Sequence, residues 1–154
     1  MVDIGRGMAA GFVATTAFSL LVLASLALGL MPQVAAAALF GGVLWGQGMP
    51  AVAWIIHFLI GTVLWGTLFA VLAPRLPGRT RTARGIAFGV FLWLLAMVVL
   101  MPITADAGPS GLGLRLWVTM LVPYLVFGAV LGATYSWLLE RRRPPAPGRT
   151  NPGR

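Results

Sequence analysis

The sequence contains no cysteine and no lysine, and it has one histidine and only three acidic residues among 154. The absence of cysteine excludes disulfides, thiolate metal sites and cysteine nucleophiles. Charged residues make up 9% of the chain, whereas soluble domains carry about 25%. So few charges cannot cover a surface that faces water. We therefore expect the lipid bilayer to surround most of the chain.

Catalytic groups are also scarce. The single histidine, His57, lies in an apolar run, and none of the three acidic residues lies in any such run. One histidine without acidic partners supplies neither a metal triad nor the nucleophile and base of a hydrolase. We therefore expect no enzyme, no cofactor and no bound metal. The net charge of +8 comes from arginines between and after the apolar runs, which argues against a nucleic-acid partner.

Four apolar runs are present, at about residues 7–31, 51–73, 85–101 and 116–139. Each reaches the roughly 17–25 residues that a helix needs to cross about 30 Å of hydrocarbon. The first is longer than the apolar core of a signal peptide, which is about 7–15 residues, so we interpret it as a retained span. The sequence predicts an all-α membrane protein with one transmembrane domain, residues 1–139. Residues 140–154 are rich in proline, glycine and arginine and are expected to form a disordered basic tail.

The arginines give the expected orientation. Ten of the eleven precede the first run, join the second to the third, or follow the fourth, and only Arg115 lies on the other side. Because positive residues concentrate in cytoplasmic segments, we expect both termini in the cytoplasm. The cluster Arg141, Arg142 and Arg143 fits a simple stop-transfer signal, and it also fits binding to anionic lipid headgroups.

The link between the first two runs is apolar but too short to cross a bilayer. Residues 34–46 carry no charge and include several glycines. An apolar stretch of this length is typical of an interfacial or re-entrant segment.

The sequence also contains an internal repeat. The first and third runs share the opening R-G-(M/I)-A-x-G, starting at Arg6 and Arg84, and both end in Met-Pro. In the second and fourth runs a polar aromatic residue, His57 or Tyr124, stands four residues before a glycine. These matches predict two tandem helical hairpins related by a pseudo-two-fold axis along the membrane normal.

Glycines recur at the spacing of helix-packing motifs. In lipid, close backbone approach along such positions holds helices together. The spacing therefore predicts packing within the chain, with homodimerisation as the second interpretation. The candidate packing glycines are Gly7, Gly11, Gly61, Gly66, Gly85, Gly89, Gly128 and Gly132.

His57 is the leading candidate for a functional polar site. An ionisable side chain inside a span must find a partner and often marks a functional path. Two interpretations remain open. In the first, His57 only forms a hydrogen bond to a neighbouring helix. In the second, His57 and Tyr124 face each other near the two-fold axis and, with Thr62 and Thr119, form a path for protons or a small solute.

The stretch from Trp54 to Gly61, WIIHFLIG, resembles a W-x-x-H-F-x-I-G signature of small bacterial inner-membrane proteins of unknown function. The Arg-Gly openings and the first Met-Pro ending are similar too. The resemblance implies the four-helix fold and the inner membrane, but no activity. We therefore expect a non-enzymatic membrane component that acts as a homo-oligomer or as an accessory subunit, with a small transporter or channel as the alternative.

Overall fold

A computed structural model of the chain describes residues 3–30, 50–100 and 112–141, and these residues form only helices and turns. Four of the helices are long and apolar enough to cross a membrane, which confirms the expected all-helical architecture with four candidate spans. The segment predicted at residues 34–46 and the tail from residue 142 lie outside the described residues. We call the four helices spans 1 to 4: Ile4–Ala27, Ala51–Leu72, Arg81–Val98 and Trp117–Glu140.

Span 1 is helix α1 (Ile4–Ala27), and both of its ends differ from the predicted ones. It begins earlier because the Asp3 carboxylate caps it, with Oδ1 accepting from the Arg6 amide at 3.1 Å. It ends earlier because Gly29 adopts a left-handed conformation with φ of 67°. The Leu30 amide then donates to the Ser25 carbonyl and the Gly29 amide to the Leu26 carbonyl. This is the hydrogen-bond pattern of a Schellman motif, which stops a helix.

Span 2 is not a uniform α-helix. It consists of α2 (Pro50–Leu59), a π-helical segment (Ile60–Trp65) and α3 (Gly66–Leu72). In the π segment the Gly66 amide donates to the Gly61 carbonyl, five residues earlier. A π segment inside an α-helix contains one extra residue in its turn and is often found at functional sites.

Spans 3 and 4 form the second hairpin. Span 3 consists of α4 (Arg81–Leu95) and the first three residues of a π segment (Ala96–Leu100). The Thr80 hydroxyl caps the start of α4 by accepting from the Ala83 amide at 3.1 Å. Span 4 is the part of helix α5 (Leu112–Glu140) from Trp117 onward, and it contains Pro123. Both helices begin about four residues before the apolar runs, and in α4 the polar stretch Arg81 to Arg84 supplies the first turn.

The starts of spans 1 and 3 and the ends of spans 2 and 4 lie together at one end of the bundle. The Asp3 amide donates to the Tyr135 hydroxyl at 3.4 Å, and Arg81 lies 3.9 Å from the Glu140 carboxylate. Residues 73–80 connect spans 2 and 3 at the same end. We call it the arginine end, because it contains Arg6, Arg75, Arg79, Arg81, Arg84 and Arg141.

Backbone-to-backbone contacts at glycines join the helices within each hairpin. A Cβ atom at Gly7 would lie 2.5 Å from the Gly66 carbonyl oxygen, and one at Gly11 would lie 2.9 Å from the Gly66 Cα. In the second hairpin, a Cβ at Gly85 would overlap the Gly128 carbonyl oxygen. Cβ atoms essentially never approach other atoms to within 3.0 Å. Only glycine therefore permits these crossings as they stand.

Larger side chains fill the centre of the bundle, and apolar side chains also cover its outside. The fully buried set includes Phe69, Phe88, Met97, Met120 and Leu131. Outward-facing side chains such as Leu20 and Val118 are more than 60% exposed. A soluble monomer rarely exposes large contiguous apolar surface, so this exterior fits a hydrocarbon solvent.

We expect Gly85→Ala to destabilise the fold by about 1–3 kcal/mol, the usual cost of inserting a methyl group into a packed interface. The new Cβ would meet the backbone of Gly128 and Gly132. Unfolding in mixed detergent and SDS measures the change. Gly5→Ala is the matched control, because its Cβ would meet only the Asp3 carboxylate, at an ordinary 3.7 Å. Equal stability of the two variants would contradict the packing role.

Candidate functional site

The His57 side chain, on α2, forms a hydrogen bond to span 1. Its Nε2 atom lies 3.1 Å from the Ser19 hydroxyl oxygen, and the tautomer of the ring decides which of the two groups donates. Ser19 is only 4% exposed. The rings of Trp54 and Phe58 pack edge-on against the imidazole, with centroid distances of 5.9 and 5.7 Å. The histidine is therefore held between an aromatic cluster on its own helix and a buried hydroxyl on the neighbouring one.

Ser19 belongs to a stripe of small residues that runs along span 1. Gly7, Gly11, Thr15 and Ser19 are four residues apart, and this spacing places them on one face of the helix. The Thr15 hydroxyl donates to the Gly11 carbonyl at 2.8 Å, and its side chain occupies the space that a Cβ at Gly61 would need. The two hydroxyls are not among the site residues predicted from the sequence. Continuing the glycine spacing past Gly11 would have found them.

Tyr124 approaches the same region from span 4 but meets a phenylalanine. Its ring packs edge-on against Phe18 with centroids 5.1 Å apart, and Phe18 also lies 6.1 Å from the His57 ring. Phe18 thus contacts both aromatic members of the sequence-predicted site. The hydrogen bond that the structure gives to His57 Nε2 is to Ser19.

The two threonines of the predicted site have different surroundings. Thr62 lies in the π segment. Its Oγ1 is buried and has no hydrogen-bond partner within the described part of the chain. Thr119 is half-buried in span 4, five residues before Tyr124. The Ser19–His57 pair and Thr62 therefore both lie where spans 1 and 2 meet.

A serine hydroxyl beside an imidazole nitrogen has one part of the geometry of a serine hydrolase. Such an enzyme also needs an accessible nucleophile and free N–H donors for the oxyanion. Ser19 is almost fully buried in the middle of α1, where backbone N–H groups are used by carbonyls one turn earlier. The arrangement therefore suits a hydrogen bond that joins two helices better than it suits catalysis.

Apart from Arg115, the charged residues in the described part of the chain all lie at the arginine end. Arg6 pairs with Asp3 at 3.1 Å, and the Arg84 Nε donates to the Gly78 carbonyl at 3.1 Å. The Arg141 guanidinium stacks on the Trp137 ring, 3.6 Å from its centroid. Arg142 and Arg143 lie outside the described residues. Within the described ranges no three His, Cys, Asp or Glu side chains come together.

The chain belongs to a family of unknown function, DUF6789, whose model matches residues 1–146. The match covers all four spans, so the family includes the whole membrane region. No curated protein and no solved structure matches the chain.

A double-mutant cycle measures the bond between Ser19 and His57. We expect Ser19→Ala and His57→Ala to be coupled by about 0.6 kcal/mol, and by at most about 1.7 kcal/mol, as found for hydrogen bonds between membrane helices. The readout is the free energy of unfolding in mixed detergent and SDS. Ser25→Ala is the control partner, since the Ser25 hydroxyl donates to the Leu21 carbonyl of its own helix. If the coupling energy between Ser19 and His57 is no larger than that between Ser25 and His57, the hydrogen bond between Ser19 and His57 is not formed.

Proposed function

We propose that the protein is a non-enzymatic component of a bacterial inner membrane that acts as an oligomer or as an accessory subunit of a larger assembly. The observation that carries this proposal is the pairing of His57 with Ser19, 3.1 Å apart across two spans. It gives the one histidine of the chain a structural task. The hydroxyls of Ser19 and Thr15, on the facing stripe of span 1, are likewise engaged within the bundle.

The glycine contacts support a self-contained bundle that associates through its outward faces. The eight candidate packing glycines meet each other, or the neighbouring helix, within a single chain. An oligomer or a partner protein would then bind the exposed apolar surface, for example around Phe12 and Leu20 on span 1, which are 53% and 63% exposed. Homodimerisation through the glycines themselves has less support, because these glycines lie inside the bundle.

The two hairpins are, in our proposal, tandem copies of one design. In the first, Gly7 and Gly11 meet Gly61 and Gly66, and in the second, Gly85 and Gly89 meet Gly128 and Gly132. The matching positions of these contacts support the repeat that the Arg-Gly and Met-Pro motifs indicate. A parallel repeat of this kind has its two-fold axis along the membrane normal.

The arginine end faces the cytoplasm in this proposal, as the positive-inside rule requires. Both termini then lie on that side. The cation–π stacking of Arg141 on the half-exposed Trp137 places a tryptophan and a positive charge together at the end of span 4. Such a pair suits the headgroup layer, and Arg142 and Arg143 would extend it as a site for anionic lipid.

A small transporter or channel is the second candidate, and one observation favours it. The buried Thr62 hydroxyl has no partner, and it lies one residue from Gly61, at the contact between spans 1 and 2. A path for protons or a small polar solute would pass through hydroxyls of this kind together with His57. Phe18, between His57 and Tyr124, would have to move for such a path to continue to span 4.

Reconstituted protein separates the two candidates. We expect proteoliposomes to show no proton or common-ion flux above that of empty vesicles, and native purification to recover an oligomer or a constant set of partner proteins. His57→Ala should lower stability without changing flux. A pH-dependent flux that His57→Ala abolishes and Ser25→Ala preserves would establish transport and overturn the proposal.

Cysteine labelling tests the orientation, because the natural chain has no cysteine. We expect Arg79→Cys and Arg154→Cys to resist a membrane-impermeant maleimide in intact spheroplasts and to react after lysis. Ser110→Cys, between the third and fourth apolar runs, should react in intact cells. Labelling of Arg79→Cys before lysis would show the opposite orientation.

A further inference from the structure

The π segment of span 2 aligns two glycines that an α-helix would separate. Gly61 and Gly66 are five residues apart, which in an α-helix is about 140° around the axis. In the π segment the Gly66 amide bonds to the Gly61 carbonyl, so the two residues stand one turn apart on the same face. Both then contact the stripe of span 1, with a Cβ at Gly11 lying 2.8 Å from the Gly61 oxygen and 2.9 Å from the Gly66 Cα.

The second hairpin achieves the same contact without an extra residue. Gly128 and Gly132 are four residues apart within α5, and both meet Gly85. Span 2 therefore carries one residue more between its contact glycines than span 4 does. The π segment accommodates that residue.

The extra residue leaves the Thr62 hydroxyl without a partner. In span 1, the hydroxyls of Thr15, Thr16 and Ser25 each donate to the carbonyl four residues earlier, at 2.8 to 2.9 Å. Thr62 would bond to the Phe58 carbonyl in the same way if span 2 were α-helical here. In the wider π turn this bond is not made and the hydroxyl is buried unpaired, which destabilises the π form in a hydrocarbon environment.

We infer that span 2 is a two-state helix whose π segment can convert to an α-helix, turning α2 with His57 relative to α3 and breaking the Ser19–His57 bond. One residue corresponds to about 100° of rotation. The glycine contacts with span 1 hold the π form, and the Thr62 hydroxyl favours the α form. The structure thus contains a conformational switch at its polar site, which does not depend on the proposed function of the protein.

The surroundings of α2 permit this rotation. Only 22% of the most apolar stretch of span 2 is buried in the bundle, the smallest share among the four spans. On α2, Ile55 and Leu59 are 60% and 55% exposed. Turning the helix would therefore move His57 and the buried Ala53 away from span 1 and bring lipid-facing apolar side chains of α2 toward it. By contrast, α3 is anchored by the fully buried Phe69 and by Ala70, so the motion is confined to the His57 half.

The single histidine is a selective probe of the two states. We would label it with ¹⁵N and record the Nε2 resonance by solid-state NMR in lipid bilayers. Thr62→Val removes the unpaired hydroxyl. It should shift the resonance toward the value of the form in which His57 Nε2 bonds to Ser19. Gly66→Ala weakens the π-stabilising contact and should shift it the other way, while Thr62→Ser keeps the hydroxyl and should leave it unchanged. An identical resonance in all four proteins, or opposite shifts, would overturn the inference.

A deletion provides a second test that does not rely on the spectrum of the natural chain. Deleting Val63, a 44% exposed residue in the π segment, places the two glycines four residues apart in a continuous α-helix. We expect this variant to fold, to give the bonded Nε2 resonance and to unfold at a higher SDS fraction than the natural chain. Deleting Leu68 from α3 is the control, and it should abolish folding because it moves Phe69 out of the core. If the two deletions destabilise the fold equally, span 2 contains no residue that can be removed without loss of stability.

Discussion

The fold depends on the close approach of helix backbones at glycines. In a bilayer, apolar side chains gain nothing by leaving lipid for one another, so van der Waals contact and a few hydrogen bonds must hold the helices together. Gly7 and Gly66 in one hairpin, and Gly85 and Gly128 in the other, allow carbonyl oxygens to reach the facing helix. The larger side chains, such as Phe69 and Phe88, fill the space that remains between the hairpins, and these two rings pack at a tilt with centroids 5.5 Å apart.

The polar groups inside the spans follow from the same constraint. Hydrocarbon offers no hydrogen-bonding partner, so each hydroxyl must use its own helix or a neighbour. Thr15 uses its own helix and Ser19 uses His57. Thr62 lies where the glycine spacing of span 2 is one residue too long for an α-helix, and its hydroxyl is unpaired. The tight glycine contacts and the unpaired hydroxyl therefore have the same cause. The π turn that aligns Gly61 with Gly66 also leaves the Thr62 hydroxyl without the carbonyl that it would bond to in an α-helix.

Much of the fold could be predicted from the sequence, since hydropathy and length identify spans that cross lipid. The helix ends were less predictable, because they depend on local bonds such as the Asp3 cap and the left-handed Gly29. His57 was identified as a candidate by its isolation among apolar residues, but its partner was not. Serine is a common residue in membrane helices, and only the continuation of the Gly7–Gly11 spacing distinguishes Ser19. The π segment could not be predicted. The sequence shows that Gly61 and Gly66 are five residues apart, but only the tertiary structure shows that both contact span 1.

The most direct test of this account is to observe the glycine contacts themselves. In protein labelled only at glycine and reconstituted in lipid nanodiscs, NMR cross-peaks between α-protons report backbones in van der Waals contact. We expect cross-peaks joining Gly11 to Gly66, Gly85 to Gly132 and Gly89 to Gly128, since a Cβ on the first of each pair would lie 2.9, 2.8 and 3.2 Å from the Cα of the second. A spectrum without these cross-peaks, from protein that is folded and monodisperse, would contradict the account, because the helices would then be held apart by side chains.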